Sequence, residues 1–73
     1  MKLKITTTKD GLDNIQFKDK YSENCSLQKS SLASEDAIWF GIVGDNSRMH
    51  LTQKQVEVLL PYLTTFVETG ELL

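Results

Sequence analysis

Apolar and polar side chains alternate over most of the first fifty residues, and the period lengthens to that of a helix near the end of the chain. Lys2 to Thr8 sets Leu3 and Ile5 on one face and runs into three threonines, whose β-branching suits a pleated surface, so a strand is predicted there. Asp10-Gly11 marks a turn, and Ile15 and Phe17 restore the two-residue period across Asn14 to Lys18. Tyr21-Ser22-Glu23-Asn24 is a second turn, after which Cys25 and Leu27 alternate with Ser26 and Gln28, completing a three-strand meander. Ser30 to Asp36, with three serines, two carboxylates and only Leu32 and Ala33 to bury, reads as a connecting loop with one helical turn at Ser31.

The most apolar stretch is Ala37-Ile38-Trp39-Phe40-Gly41-Ile42-Val43, which predicts a central strand covered at least partly on both faces. Ile38, Phe40 and Ile42 share one face; Ala37, Trp39, Gly41 and Val43 share the other. Gly41 beside Trp39 marks a bulge or a close approach by another chain. Gly44-Asp45-Asn46-Ser47 turns into Arg48-Met49-His50-Leu51, where Met49 and Leu51 oppose Arg48 and His50. Thr52 and Gln55 then have capping-box spacing, with Leu51 and Val56 as the hydrophobic staple, so a helix starts at Gln53. Val56, Leu59, Leu60, Leu63, Phe66 and Val67 fall on one arc, and Gly70 stops the helix near Thr69. Pro61 lies inside it, removes the hydrogen bond to the Glu57 carbonyl and predicts a kink. Val58 and Tyr62 flank the arc and, with Phe66, form an apolar shoulder for a loop, the tail or a partner. The expected fold is α+β: a four- or five-stranded, mainly antiparallel sheet packed on one C-terminal helix. Leu3, Ile5, Phe17, Leu27 and Phe40 are expected to meet the helix arc in one two-layer core.

Length bounds this picture. Seventy-three residues, 40% hydrophobic and 25% charged, make one domain over residues 1–73. A chain this short buries only roughly 60% of its unfolded surface, so its stability needs support. Cys25 is the only cysteine, which excludes an internal disulfide, and Cys25 with His50 is too few ligands for structural zinc. Self-association, as a homodimer through the sheet face around Trp39 or the Val58-Tyr62 shoulder, is the remaining support. One lone thiol suits a reducing compartment, and no apolar run approaches a membrane span or a signal peptide, so a cytoplasmic protein is expected. A net charge of −2 provides no basic field for general duplex binding.

Three stretches carry a resemblance: Cys25-Ser26-Leu27-Gln28-Lys29-Ser30-Ser31-Leu32-Ala33; Glu35-Asp36-Ala37-Ile38-Trp39-Phe40-Gly41; and Arg48-Met49-His50-Leu51-Thr52-Gln53, continuing to Leu59-Leu60-Pro61 and Phe66-Val67-Glu68-Thr69-Gly70-Glu71-Leu72. Together they resemble a group of small, mostly uncharacterised proteins encoded by bacteriophages and prophages, over most of residues 15–72. That group often has a longer insertion after the tryptophan strand, where only Val43 to Ser47 stand here. The resemblance implies a setting in the cytoplasm of a bacterial host and a role in binding a defence component. Two classes follow from it: an inhibitor of a host defence protein, as anti-CRISPR proteins are, and a sponge that captures a small nucleotide signal at a dimer interface.

Candidate chemistry is sparse. Cys25 and His50 are the only pair suited to thiol nucleophile chemistry, and nothing in their spacing brings them together, so no catalytic residue is assigned. Adjacent Glu35 and Asp36 diverge on any regular element and read as a solvated loop. Phosphate loops, metal clusters and cofactor motifs are absent from the sequence. Trp39, Arg48 and His50 are the more informative set: across a hairpin they would share a face, an aromatic surface beside a cation, with Gln28 and Ser30, and also Ser26, on the polar side of their own strand. The expectation is a non-enzymatic binding protein, with Trp39, Arg48, His50, Gln28 and Ser30 as binding residues and Val58, Tyr62 and Phe66 as interface residues.

Overall fold

A computed structural model describes residues 1–44 and 47–73. Among them, β1 (Lys4–Thr7), β2 (Asp13–Lys18), β3 (Asn24–Lys29), β4 (Ala37–Ile42) and β5 (Arg48–Thr52) precede α1 (Gln53–Thr69). The strands form one antiparallel sheet in the order β1-β2-β3-β4-β5, a meander in which each strand pairs with its sequence neighbour. The class is therefore α+β, an antiparallel sheet with one C-terminal helix.

Local chemistry accounts for the turns. Gly11 takes φ 78°, and the Thr8 hydroxyl accepts the Leu12 N–H at 3.1 Å, closing the β1-β2 connection. In the next, Asp19 Oδ1 accepts the N–H groups of Tyr21 and Glu23 at 2.8 and 2.9 Å. Between β3 and β4 the chain forms no helical turn at Ser31. The Ser30 hydroxyl instead accepts the Leu32 N–H at 3.1 Å, offering the backbone a local alternative to a helix. The centre of the predicted Gly44–Ser47 turn, Asp45 and Asn46, lies outside the described residues.

The helix starts where the capping box set it. Gln55 N–H donates to the Thr52 hydroxyl at 3.1 Å and the Gln55 side chain accepts the Thr52 N–H at 2.9 Å. Gly70, at φ 80°, donates its N–H to the Phe66 carbonyl at 2.8 Å and ends it. Pro61 lies within a single uninterrupted helix.

Packing departs from the expected two-layer core. Cys25 and Ala37 are the buried hydrophobic residues, and Ser26 and Ser30 the buried polar ones. Leu3 and Ile5 are 53% and 75% exposed, while Phe17, Leu27 and Phe40 are half-buried, the two phenylalanine rings meeting edge-to-face at 6.2 Å. Leu63, at the middle of the arc, is 50% exposed, and no helix residue is fully buried. The reason is the junction. Thr52 ends β5 and Gln53 begins α1, so none of the 2–6 loop residues that usually fold a helix back over its sheet intervene. The start of the helix engages the sheet: Val56 shares a small cleft with Ile38 and Leu51, and Val58 and Leu59 share another with Leu51.

Candidate binding face

Register decides what the strands' alternation brings together. One cross-strand row is Thr6-Asn14-Gln28-Trp39-His50, and the next is Lys4-Gln16-Ser26-Gly41-Arg48. Both lie on one face, because residues two apart on a strand point the same way. The five expected binding residues therefore meet, with Ser26 among them.

Their contacts are specific. Trp39 and His50, directly opposite across β4 and β5, stack with centroids 3.9 Å apart and planes 6° from parallel. Arg48 reaches over glycine: opposite Gly41 and Ser26 in its row, its Nη1 donates to Ser26 Oγ at 3.3 Å and to Gln28 Oε1 at 3.0 Å, both on β3. The guanidinium carbon also lies 5.6 Å from the Trp39 ring centroid, within cation–π range. His50 Nε2 is 2.9 Å from the Ser30 hydroxyl. Ser26 and Ser30 are buried beneath this layer, each hydrogen-bonded to a cationic or imidazole partner, which is how two serines come to be buried in so small a domain.

Gly41 is the close approach expected from its place beside Trp39, but the neighbour is its own chain. At φ 146°, a Cβ there would stand 2.7 Å from the Ser47 carbonyl oxygen and 3.0 Å from the Arg48 Cα. Asn14, not singled out from the sequence, belongs to the same face: its Nδ2 donates to Thr6 Oγ1 at 3.4 Å, while its buried Oδ1 has no hydrogen-bond partner among the described residues. An acceptor next to Gln28 in the row thus remains open. Only the register could have identified it.

Other candidates separate. Cys25 shares the opposite face with Phe17 and Ile42, and its thiol donates to the Glu23 carbonyl at 3.5 Å, so the sheet stands between it and His50. Asp36 pairs with Lys29 at 2.8 Å, and that hydrogen bond, with the ammonium charge, holds its carboxyl below the ordinary aspartate value. Val58, Tyr62 and Phe66 are 59%, 47% and 52% exposed, but so are their neighbours on the arc, so the shoulder is part of one broad apolar helix surface. Among the described residues no group of three or more His, Cys, Asp or Glu is arranged to hold a metal, and no helix is long and apolar enough to cross a membrane.

An open cleft of about 890 Å³ lies away from the Trp39 stack, lined by Met1, Lys2, Lys4, Lys18 and Lys20 together with Phe17 and Cys25. Comparison with protein-family models, curated proteins and solved structures gave no match, so the geometry of the chain itself carries the functional reading.

Proposed function

We propose that this is a non-enzymatic binding protein whose contact surface is the Trp39-His50-Arg48 face, and that its partner is a protein of bacterial defence, which it inhibits. The observation that carries the binding surface is the pre-assembled layer: a parallel indole–imidazole stack with a guanidinium beside it, anchored to Ser26, Gln28 and Ser30. Trp and Arg are the residues that most often dominate protein–protein binding energy, and side chains already held in place lose little entropy on binding. The resemblance to phage-encoded proteins supports the choice of a defence protein as partner. The same stack covers one face of the Trp39 indole with His50, which reduces the area left there for stacking a nucleobase.

A small nucleotide at another place is the second reading. It is favoured by the open cleft, which Lys2, Lys4, Lys18 and Lys20 line together with Asp19, an excess of cations that suits a phosphate ligand.

Affinity purification from phage-infected bacteria, with mass spectrometry of both proteins and extractable small molecules, separates the two. The proposal expects a stoichiometric protein partner that is lost with Trp39→Ala and Arg48→Ala while both variants keep the wild-type circular-dichroism spectrum. A stoichiometric nucleotide with no protein partner overturns it.

A further inference from the structure

On the face opposite Trp39, Ile5, Ile15, Leu27, Phe40 and Met49 form one unbroken cross-strand row spanning all five strands. Phe17-Cys25-Ile42 flanks it on one side and Ile38-Leu51 on the other. The central row is apolar throughout, while Thr7 paired with Asp13, and Lys29 across from Ile38, bring polar groups to one flank. The chain's own helix does not cover this face, and the helix arc is itself uncovered, with Leu59, Leu63, Phe66 and Val67 between 46% and 83% exposed. One chain thus carries two large apolar surfaces, a sheet face and a helix stripe, which are the two halves of an ordinary α/β layer contact.

We infer that a second copy of this chain completes the fold: the helix of each protomer lies across the apolar sheet face of the other, in a closed two-fold dimer. Three quantities support a second copy as the occupant. The chain exposes 6136 Å², whereas a compact monomer of its mass exposes roughly 4,600 Å². The excess, about 1,500 Å² per chain, exceeds the roughly 800 Å² per partner of a standard interface and falls in the range of obligate homodimers. The radius of gyration, 13.3 Å, likewise exceeds the roughly 11 Å of a compact 73-residue chain.

Dimensions agree as well. A 17-residue helix is about 25 Å long, and five strands span about 19 Å across four strand spacings. The helix of one copy is therefore long enough to cross the whole row from Ile5 to Met49. Two-fold symmetry uses both surfaces of both chains and leaves neither open for further growth, whereas a one-way contact would extend into a filament. The Trp39 face lies on the outer side of each sheet in this arrangement, available to a different partner.

The test uses the full chain. Sedimentation at micromolar concentration is expected to give twice the 8.3 kDa chain mass. In a dimer refolded from ¹³C-labelled and unlabelled chains, isotope-filtered NOEs are expected from Leu59, Leu63 and Phe66 of one protomer to Phe40 and Met49 of its partner. Leu63→Glu and, at the more exposed sheet site, Met49→Lys are expected to abolish the doubled mass, and Trp39→Ala to preserve it. A folded monomer, a dimer without helix-to-sheet intermolecular NOEs, or a dimer lost with Trp39→Ala but kept with Met49→Lys would each overturn the inference. The last result would move the interface to the other face. Because the dimer and the defence-protein contact use opposite faces, failure of one leaves the other standing.

Discussion

Gly41→Ala tests the geometry on which the binding face depends. At φ 146° an alanine occupies backbone space that L-residues avoid, which costs roughly 1–2 kcal/mol. Its Cβ would also sit 2.7 Å from the Ser47 carbonyl oxygen, a backbone atom that cannot swing aside, and forced contacts of this kind typically cost a further 1–3 kcal/mol or so. The combined destabilisation is roughly 2–5 kcal/mol. At about 4–8 °C per kcal/mol for a domain of this size, a loss of 3 kcal/mol lowers Tm by roughly 12–24 °C. Gly44→Ala is the internal control, since Gly44 has φ 129° but a Cβ at that position would meet nothing within 4 Å, so it bears only the backbone penalty. Loss of unfolded-chain entropy on replacing glycine is common to both and cancels in the comparison. Thermal denaturation followed by circular dichroism, at one fixed protein concentration because association adds to apparent stability, gives the difference directly. Gly41→Ala should melt at least roughly 4 °C below Gly44→Ala. Equal melting temperatures would show that β4 relaxes away from Ser47, and the argument that Gly41 holds the β4-β5 approach under Arg48 would fail.

Removing the helix cap with Thr52→Ala should cost about 1 kcal/mol in urea denaturation with an unchanged m-value, since it takes away the acceptor for the Gln55 N–H; no change in midpoint would deny the cap its role. Asp36 has a folded-state pKa below its unfolded one, so its pairing with Lys29 contributes stability that is present above the unfolded value and lost as pH falls through the folded value. The Tm gap between wild type and Lys29→Gln should accordingly narrow on acidification through the carboxylate range, and narrow again at high salt because the pair is exposed; a gap that widens toward low pH would contradict the sign.

Much of the architecture was legible because it is local. The Thr52-Gln55 capping box, the Leu51-Val56 staple and Gly70 act within a few residues of chain, and the helix begins and ends where they stand. Two-residue alternation likewise marked the strands and sorted Ser26, Gln28 and Ser30 from Cys25 and Leu27. The expected helical turn at Ser31 failed for an equally local reason, the competing bond from the Leu32 N–H to the Ser30 hydroxyl.

The tertiary structure alone decided offset and coverage. Alternation says which side a residue points to and nothing about which residue stands across from it, because every shift of two along a strand preserves the faces. Only register sets His50 on Trp39, carries Arg48 over Gly41 to Ser26 and Gln28, and leaves Asn14 Oδ1 beside them with its acceptor open. Coverage escaped the sequence for a different reason. The hydrophobic effect is non-directional, so the Val56-to-Val67 arc specifies that something apolar should cover it without specifying its own sheet. The direct passage from Thr52 into Gln53, with no loop to reverse the chain, is what sends that arc away from the sheet to which it is joined.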